Sequence, residues 1–202
     1  MSADQLATLR GYAFELAGMS KTGLGFASND YDRDRFKRTL RIAESIAAMT
    51  FPEGIPQSLE YVGELGVVTP KVGCSVAAFD ERGRILLIRR ADNGQWGLPG
   101  GYAEIGSAPS ENALRELHED TGFSDEIECF LGVFDTREFG SAAPYQHYVL
   151  LFQARLTGGN PTASAETLEV AFFERAEVPT DMSSTQRAMI EHARSGSEAA
   201  YQ

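Results

Sequence analysis

Glu116, Glu119 and Asp120 fall within five consecutive positions, in the stretch RELHEDTG. Side chains three or four residues apart stack on one face of a helix, so a helix here would bring three carboxyl groups onto one surface. Like charges placed that way cost about 0.2–0.5 kcal/mol per pair. A chain that accepts this cost either leaves a solvated acidic face or gathers oxygen ligands for a cation. The second option has a definite chemistry. Mg²⁺ is usually held by one or two carboxylates together with substrate phosphates. A metal so held clamps a diphosphate, neutralises charge on the leaving phosphoryl group and activates water. Phosphoryl transfer depends mostly on such positioning and neutralisation.

The elements needed to position these acids precede them, in WGLPGGYAEIGSAPSENALRELHEDTGF, Trp96 to Phe123. Gly97, Pro99, Gly100 and Gly101 predict a tight loop whose backbone can approach a ligand closely. Ser107 or Ser110 is expected to cap the helix, with Pro109 in its first turn. Ala113, Leu114 and Leu117 give the helix an apolar face, and Gly122 marks its end.

This arrangement resembles the signature of the Nudix hydrolase family. That signature is Gly, five residues, Glu, seven residues, then Arg-Glu, an aliphatic residue, any residue, Glu-Glu, any residue, Gly and an aliphatic residue. Starting at Gly101, the sequence reaches Arg115, Glu116, Leu117, Glu119, Asp120, Gly122 and Phe123 in register. Two positions depart: Asp120 stands for the last Glu, and Ser107 for the first. The missing acid commonly pairs with the signature arginine, so Arg115 is expected to find Glu104, Glu111 or a metal ligand instead.

The resemblance implies catalytic roles for Glu116, Glu119 and Arg115, with Glu116, Glu119 and Asp120 as ligands of Mg²⁺ or Mn²⁺. SAETLEVAFF resembles the family segment that supplies a further ligand or base, for which Glu169 is the choice and Glu166 the second candidate. Substrate contacts are expected from Arg89, Arg90, Trp96 and the backbone of Gly100 and Gly101, with Tyr145 or His147 as further candidates for gripping a base or sugar. For each of these side chains the structural role competes with the functional one. His118 faces away from the acids by helical phase.

Around this motif the pattern predicts helices over 3–19 and 31–49, separated by the loop SKTGLGFASND. Strands are expected in KVGCSVAAFD, RILLIRR, IECFLGVFDTRE, YQHYVLLFQARL and LEVAFFE, and a last helix in STQRAMIEHAR. The expected organisation is a helical module over 1–56, a linker over 57–67, an α+β domain over 68–195 and a flexible tail over 196–202. The resemblance makes that domain a Nudix-type α/β/α sandwich with a mixed sheet. A two-helix hairpin cannot bury its apolar faces alone, so it must dock on the rest of the chain or pair with a second copy, and pairing is the favoured expectation. The N-terminal stretch also resembles the helical domain of a bacterial Nudix branch acting on ADP-ribose or CDP-choline, in which it helps form a homodimer.

The 202 residues carry a net charge of −11, which disfavours nucleic-acid polymers as partners but not a small phosphate ligand. No run of apolar residues is long enough to span a membrane, and no secretory signal is expected. Cys74 and Cys129 lack metal-ligand spacing and fit buried free thiols in a reducing cytoplasm. The expected function is metal-dependent hydrolysis of the pyrophosphate bond in a nucleoside diphosphate linked to another moiety, of the ADP-ribose or CDP-choline class. The products would be a nucleoside monophosphate and the phosphorylated second moiety. The alternatives are a non-hydrolytic sensor of a nucleotide sugar, favoured by Ser107, and a pyrophosphatase that sanitises nucleoside triphosphates.

Overall fold

The computed structural model describes residues 2–50, 69–104, 106–141, 146–162 and 164–200. It forms two compact units, Met1–Pro70 with Ala142–Gln146, and Lys71–Ser141 with His147–Gln202. The linker expected over 57–67 and the candidate Tyr145 lie outside the described residues.

The first unit contains α1 (Ala3–Phe26) and α2 (Asp30–Thr50). Ser2 caps α1, its hydroxyl accepting from the Gln5 N–H while the Gln5 amide accepts from Ser2 N–H. Asn29 does similar work for α2, its Oδ1 accepting from Asp32 N–H at 2.8 Å. Arg10 donates to the Thr50 carbonyl, and Ala13, Ala43 and Ala47 are buried. One expectation is corrected here. The glycine-containing stretch after residue 19 does not break the helix, which continues to Phe26. Gly23 serves packing instead: a Cβ there would stand 2.3 Å from the Phe36 ring.

The second unit is one mixed sheet with a helix against each face. Its strands are β1 (Lys71–Phe79), β2 (Ile85–Arg90), β3 (Trp96–Gly97), β4 (Gly100–Tyr102), β5 (Phe123–Asp135), β6 (His147–Gly159) and β7 (Thr167–Phe173). The helices are α3 (Pro109–Thr121) and α4 (Ser184–Ser195). The strand order is β3-β2-β1-β6-β5, with β4 added on β1 and β7 on β2. β1 and β6 run parallel and the other pairings are antiparallel.

Strand alternation sorts the core into two layers. Cys74, Val76, Ala78, Leu86, Phe152 and Ala154 pack with Ala113 and Leu117 of α3. Ala77, Ile85, Leu87, Val149 and Leu151 pack on the other side with Met189, Ile190 and Ala193 of α4. The α/β/α sandwich is therefore present.

Two smaller expectations change. Cys74 is buried but Cys129 is exposed, next to a register irregularity in the β5–β6 pairing between Ile127 and Cys129. The tail is tied down as far as Ala200, which donates to Leu131 O and accepts from Val133 N–H, extending the sheet beside β5. Backbone pairing holds it where the side chains SGSEAA gave no apolar signal.

Candidate active site

The acidic helix is built from local rules, with one change from the expected cap. Ala108, not Ser107 or Ser110, is the N-cap, and the Glu111 carboxylate accepts from Ala108 N–H at 2.7 Å. Pro109 opens the helix and Gly122, left-handed at φ 75°, closes it through N–H to His118 O. Burial of Ala113 and Leu117 against the sheet then fixes the rotation of α3. Arg115 and Glu116 are left half-buried and Glu119 exposed, while Asp120 points down into the fold at 6% exposure.

Arg115 is the hub of the acidic face. Its Nη1 donates to Glu119 Oε2 at 2.6 Å and its Nη2 to Glu116 Oε1 at 2.7 Å. Glu104 stands 3.6 Å away, whereas Glu111 is engaged at the helix cap. The guanidinium therefore holds two of the three helix acids that the sequence singled out, Glu116 and Glu119, as expected once Ser107 supplies no carboxylate.

Glu116 presses its carboxylate against Gly101, where a Cβ would lie 2.6 Å from Oε2 and 2.8 Å from Oε1. Its pKa is raised, chiefly by burial, against the lowering effect of Arg115 and with further raising by Asp120 and Glu119. Cys74 lies near enough to feel the same charge. Its thiol is pushed up to about 11, by burial first and by Glu116 second.

Asp120 anchors the glycine loop to α3. Its Oδ2 accepts from Gly100 N–H at 3.0 Å and its Oδ1 from the Thr167 hydroxyl at 3.3 Å. Burial raises its pKa most, while those two bonds and the charge of Arg90 oppose the rise and Glu166 adds to it. Glu166 is thus the β7-side acid whose field reaches Asp120. Glu169 is exposed and stands opposite Arg89 in the β2–β7 register.

The expected substrate residues divide. Gly100 and Gly101 form β4 directly beside Glu116 and Asp120. Gly100 needs to be glycine, since at φ 153° a Cβ would sit 2.2 Å from Cys74 O. Arg90 is clamped by Asp92 through two bonds of 3.0 and 3.1 Å, and Arg89 donates to Gly94 O. Trp96 packs edge-on against Phe173 at 4.9 Å, within the core layer that α4 covers. The structure therefore does not bring Trp96 to the acidic helix. His147 does approach the loop: a Cβ on Gly73 would meet His147 Nε2 at 2.6 Å and Gly101 O at 2.9 Å. Its ring lies 5.2 Å from that of Tyr102, which is 51% exposed. Burial lowers the His147 pKa and Asp135 opposes the fall. His118 is exposed, with Nδ1 2.9 Å from Phe123 O, away from the acids as its phase predicted.

Sequence reasoning missed two supports. Gln186 of α4 accepts from Leu98 N–H at 2.8 Å, bracing the glycine loop from the opposite side of the sheet. Asn112, 1% exposed, bonds to the loop before α3. A buried amide on the apolar side of an amphipathic helix was the only available signal, and it was readable for Asn112.

The donor set fits a hard divalent cation in its chemistry, since Glu116, Glu119, Asp120 and Glu166 offer only carboxylate oxygens. Among the described residues no three acid, His or Cys side chains are gathered into a metal-holding group. Glu116 and Glu119 instead share Arg115 as a counter-ion. Glu119, exposed on a flexible side chain, is free to turn from it.

Comparison with known proteins agrees with this geometry. Residues 8–51 match a domain described as a UDP-X-like, N-terminal oligomerisation domain. A Bacillus subtilis protein named "Putative ADP-ribose pyrophosphatase YjhB" is 31% identical over 169 residues, covering 83% of this chain and 81% of its own. An ADP-ribose pyrophosphatase of Methanocaldococcus jannaschii is 32% identical over 100 residues, covering 48% of this chain and 57% of its own. The crystal structure of a UDP-X diphosphatase superposes with TM-score 0.60 at 24% identity, covering 97% of this chain and 98% of its own, a likeness of fold. Residues 69–193, which contain the whole loop-and-helix site, match the NUDIX domain, and the chain belongs to the Nudix hydrolase family.

Proposed function

We propose that this Nudix hydrolase cleaves the pyrophosphate bond of a nucleoside diphosphate joined to a second moiety, of the ADP-ribose, CDP-choline or UDP-linked class. The observation that carries the reading is the seating of the Glu116 carboxylate against the Cα of Gly101, with Arg115 spanning Glu116 and Glu119. Backbone stripped of side chains lies beside an oxygen-rich helix, which suits a diphosphate approaching between them. Relatives named ADP-ribose pyrophosphatases support the substrate class.

Glu116, Glu119 and Asp120 would hold Mg²⁺ or Mn²⁺, with Glu166 close enough for its charge to act on Asp120. When bound, the cation supplies charge neutralisation of the diphosphate and Lewis-acid activation of water. Asp120 keeps the Gly100 backbone in place, and the Glu119 carboxylate, the most exposed of the helix acids, takes the proton from the attacking water. Arg115, released from Glu119, remains to balance charge on the phosphate oxygens. The rim of Tyr102 and His147 suits stacking of a base or sugar.

The α1–α2 hairpin exposes Tyr12, Met19, Phe26, Tyr31, Ile42 and Met49, each at 50% or more. That surface and the match to an oligomerisation domain support a homodimer. Free cysteines and the lack, among the described residues, of any helix able to cross a membrane fit the cytoplasmic expectation. The test is turnover of ADP-ribose, CDP-choline, a UDP-sugar, NADH and nucleoside triphosphates with Mg²⁺ and with Mn²⁺. Cleavage of a diphosphate-linked member, lost in E116Q and E119Q, supports the reading; preference for triphosphates overturns it. The sensor reading draws on Arg115, which already neutralises Glu116 and Glu119, and it predicts nucleotide binding with no turnover.

A further inference from the structure

Asparagine is a poor choice for a helix interior, because its amide competes for backbone groups. Burying that amide costs stability unless its polar atoms are bonded. Asn112 is nevertheless 1% exposed in the first half of α3. Its Oδ1 accepts from Glu104 N–H at 2.9 Å, and its Nδ2 donates to Ser107 O at 3.3 Å and Ala108 O at 3.2 Å. The same Oδ1 lies 3.4 Å from Arg115 Nη2, the nitrogen that donates to Glu116 Oε1. One side chain thus links three backbone groups of the loop after β4 to the guanidinium that orients two acids.

Ser107 sits where the resembled signature has an acid, and it enters this network through its backbone carbonyl. We infer that Asn112 is a positioning residue that supplies the loop-to-helix tether for which Ser107 has no carboxylate, and that it sets Glu116 and Glu119 through Arg115. The inference rests on the pyrophosphohydrolase reading above. Only a short amide satisfies all the contacts. Aspartate would set a carboxylate against two carbonyls, alanine would bond to none of them, and glutamine would place its amide one methylene too far. Because the amide is neutral, it bonds to Arg115 without competing in charge with Glu116 and Glu119, or with Glu104 at 3.6 Å.

The experiment compares wild type, N112A, N112D and the double variant S107E with N112A. It reads kcat and KM on the turned-over diphosphate substrate, amide exchange at Glu104, and fold by circular dichroism. N112A is expected to lose roughly 10²-fold in kcat, as for a displacement of about 1 Å at the reacting groups. KM should stay within about threefold, as expected when a transition-state interaction is lost, while the Glu104 amide exchanges faster. The double variant is expected to regain about tenfold, since a carboxylate at 107 gives Arg115 a charge-assisted partner in the loop. Should N112A not fold, N112D decides. It keeps the acceptor for Glu104 but loses both donors, so kcat falls while Glu104 stays protected. A wild-type kcat per folded molecule in N112A or N112D, or no recovery in the double variant, overturns the inference. If wild type turns over no substrate, the enzyme reading fails separately, and Glu104 exchange unchanged in N112A overturns the tether on its own.

Discussion

Replacing Gly101 with alanine separates the fold from the chemistry. The added Cβ would stand 2.6–2.8 Å from three atoms of the Glu116 carboxylate, whereas ordinary contact begins at 3.4 Å. The carboxylate must therefore retreat by about 0.6–0.8 Å. It is the end of a flexible side chain, and Gly101 is not at positive φ, so the backbone can stay as it is. Folding stability should change by no more than ~1 kcal/mol. A misplacement approaching 1 Å at a reacting group costs roughly 10²-fold in rate, or about 2.7 kcal/mol of barrier. Gly100→Ala is the contrasting control, because its Cβ would strike Cys74 O at 2.2 Å and Ser75 Cα at 2.8 Å, both backbone atoms. It should cost the β1–β4 pairing and much of the folded protein. The assay is kcat on the diphosphate substrate alongside urea unfolding. A fully folded G101A with kcat within about threefold of wild type would refute the claim that Gly101 exists to seat Glu116.

Three further outcomes are expected. Asp125, raised to about 6 by burial against a small opposing effect of His118, is disfavoured in its charged form in the folded chain. Its folded pKa lies above the unfolded one, so its protonated form adds stability that is lost as pH rises through about 6; D125N should then stabilise by up to ~3 kcal/mol at pH 8 and by about 1 kcal/mol at pH 4.5, read by urea unfolding. Substituting Phe26 and Tyr31, 76% and 72% exposed, with serine should lower the oligomeric state in sedimentation velocity without changing the circular dichroism. E119Q should abolish most turnover by at least ~10², while costing at most ~1 kcal/mol of stability, since its ion pair with Arg115 is 57% exposed on the glutamate side.

The parts of this structure governed by local rules were legible in the sequence. The α3 register, its Gly122 stop and the two-sided strands followed from periodicity and turn chemistry. Apart from the Ala108 cap of α3, a local choice among neighbouring residues, the surprises arose where a tertiary contact decides. Gly23 looked like a break because its partner Phe36 lies on another helix. For Trp96 the structural and functional roles both stood open, and its contact with Phe173 depends on how β7 pairs with β2. Asp120 was readable as an acid of the site, but its bond to Gly100, twenty residues earlier, was not. The bulge between Arg89 and Arg90, which sets Glu169 opposite Arg89 and Thr167 opposite Arg90, is a register shift that no local pattern announces.

The central claim is that water cleaves a diphosphate bridge between two moieties. The most direct measurement runs the reaction in ¹⁸O-water on ADP-ribose, CDP-choline and a UDP-sugar, and weighs the products. The account predicts a nucleoside monophosphate and a second phosphorylated moiety, with one ¹⁸O on one of them, formed at least ~10²-fold more slowly by E119Q. Release of pyrophosphate from triphosphates alone, or nucleotide bound and never cleaved, would contradict it.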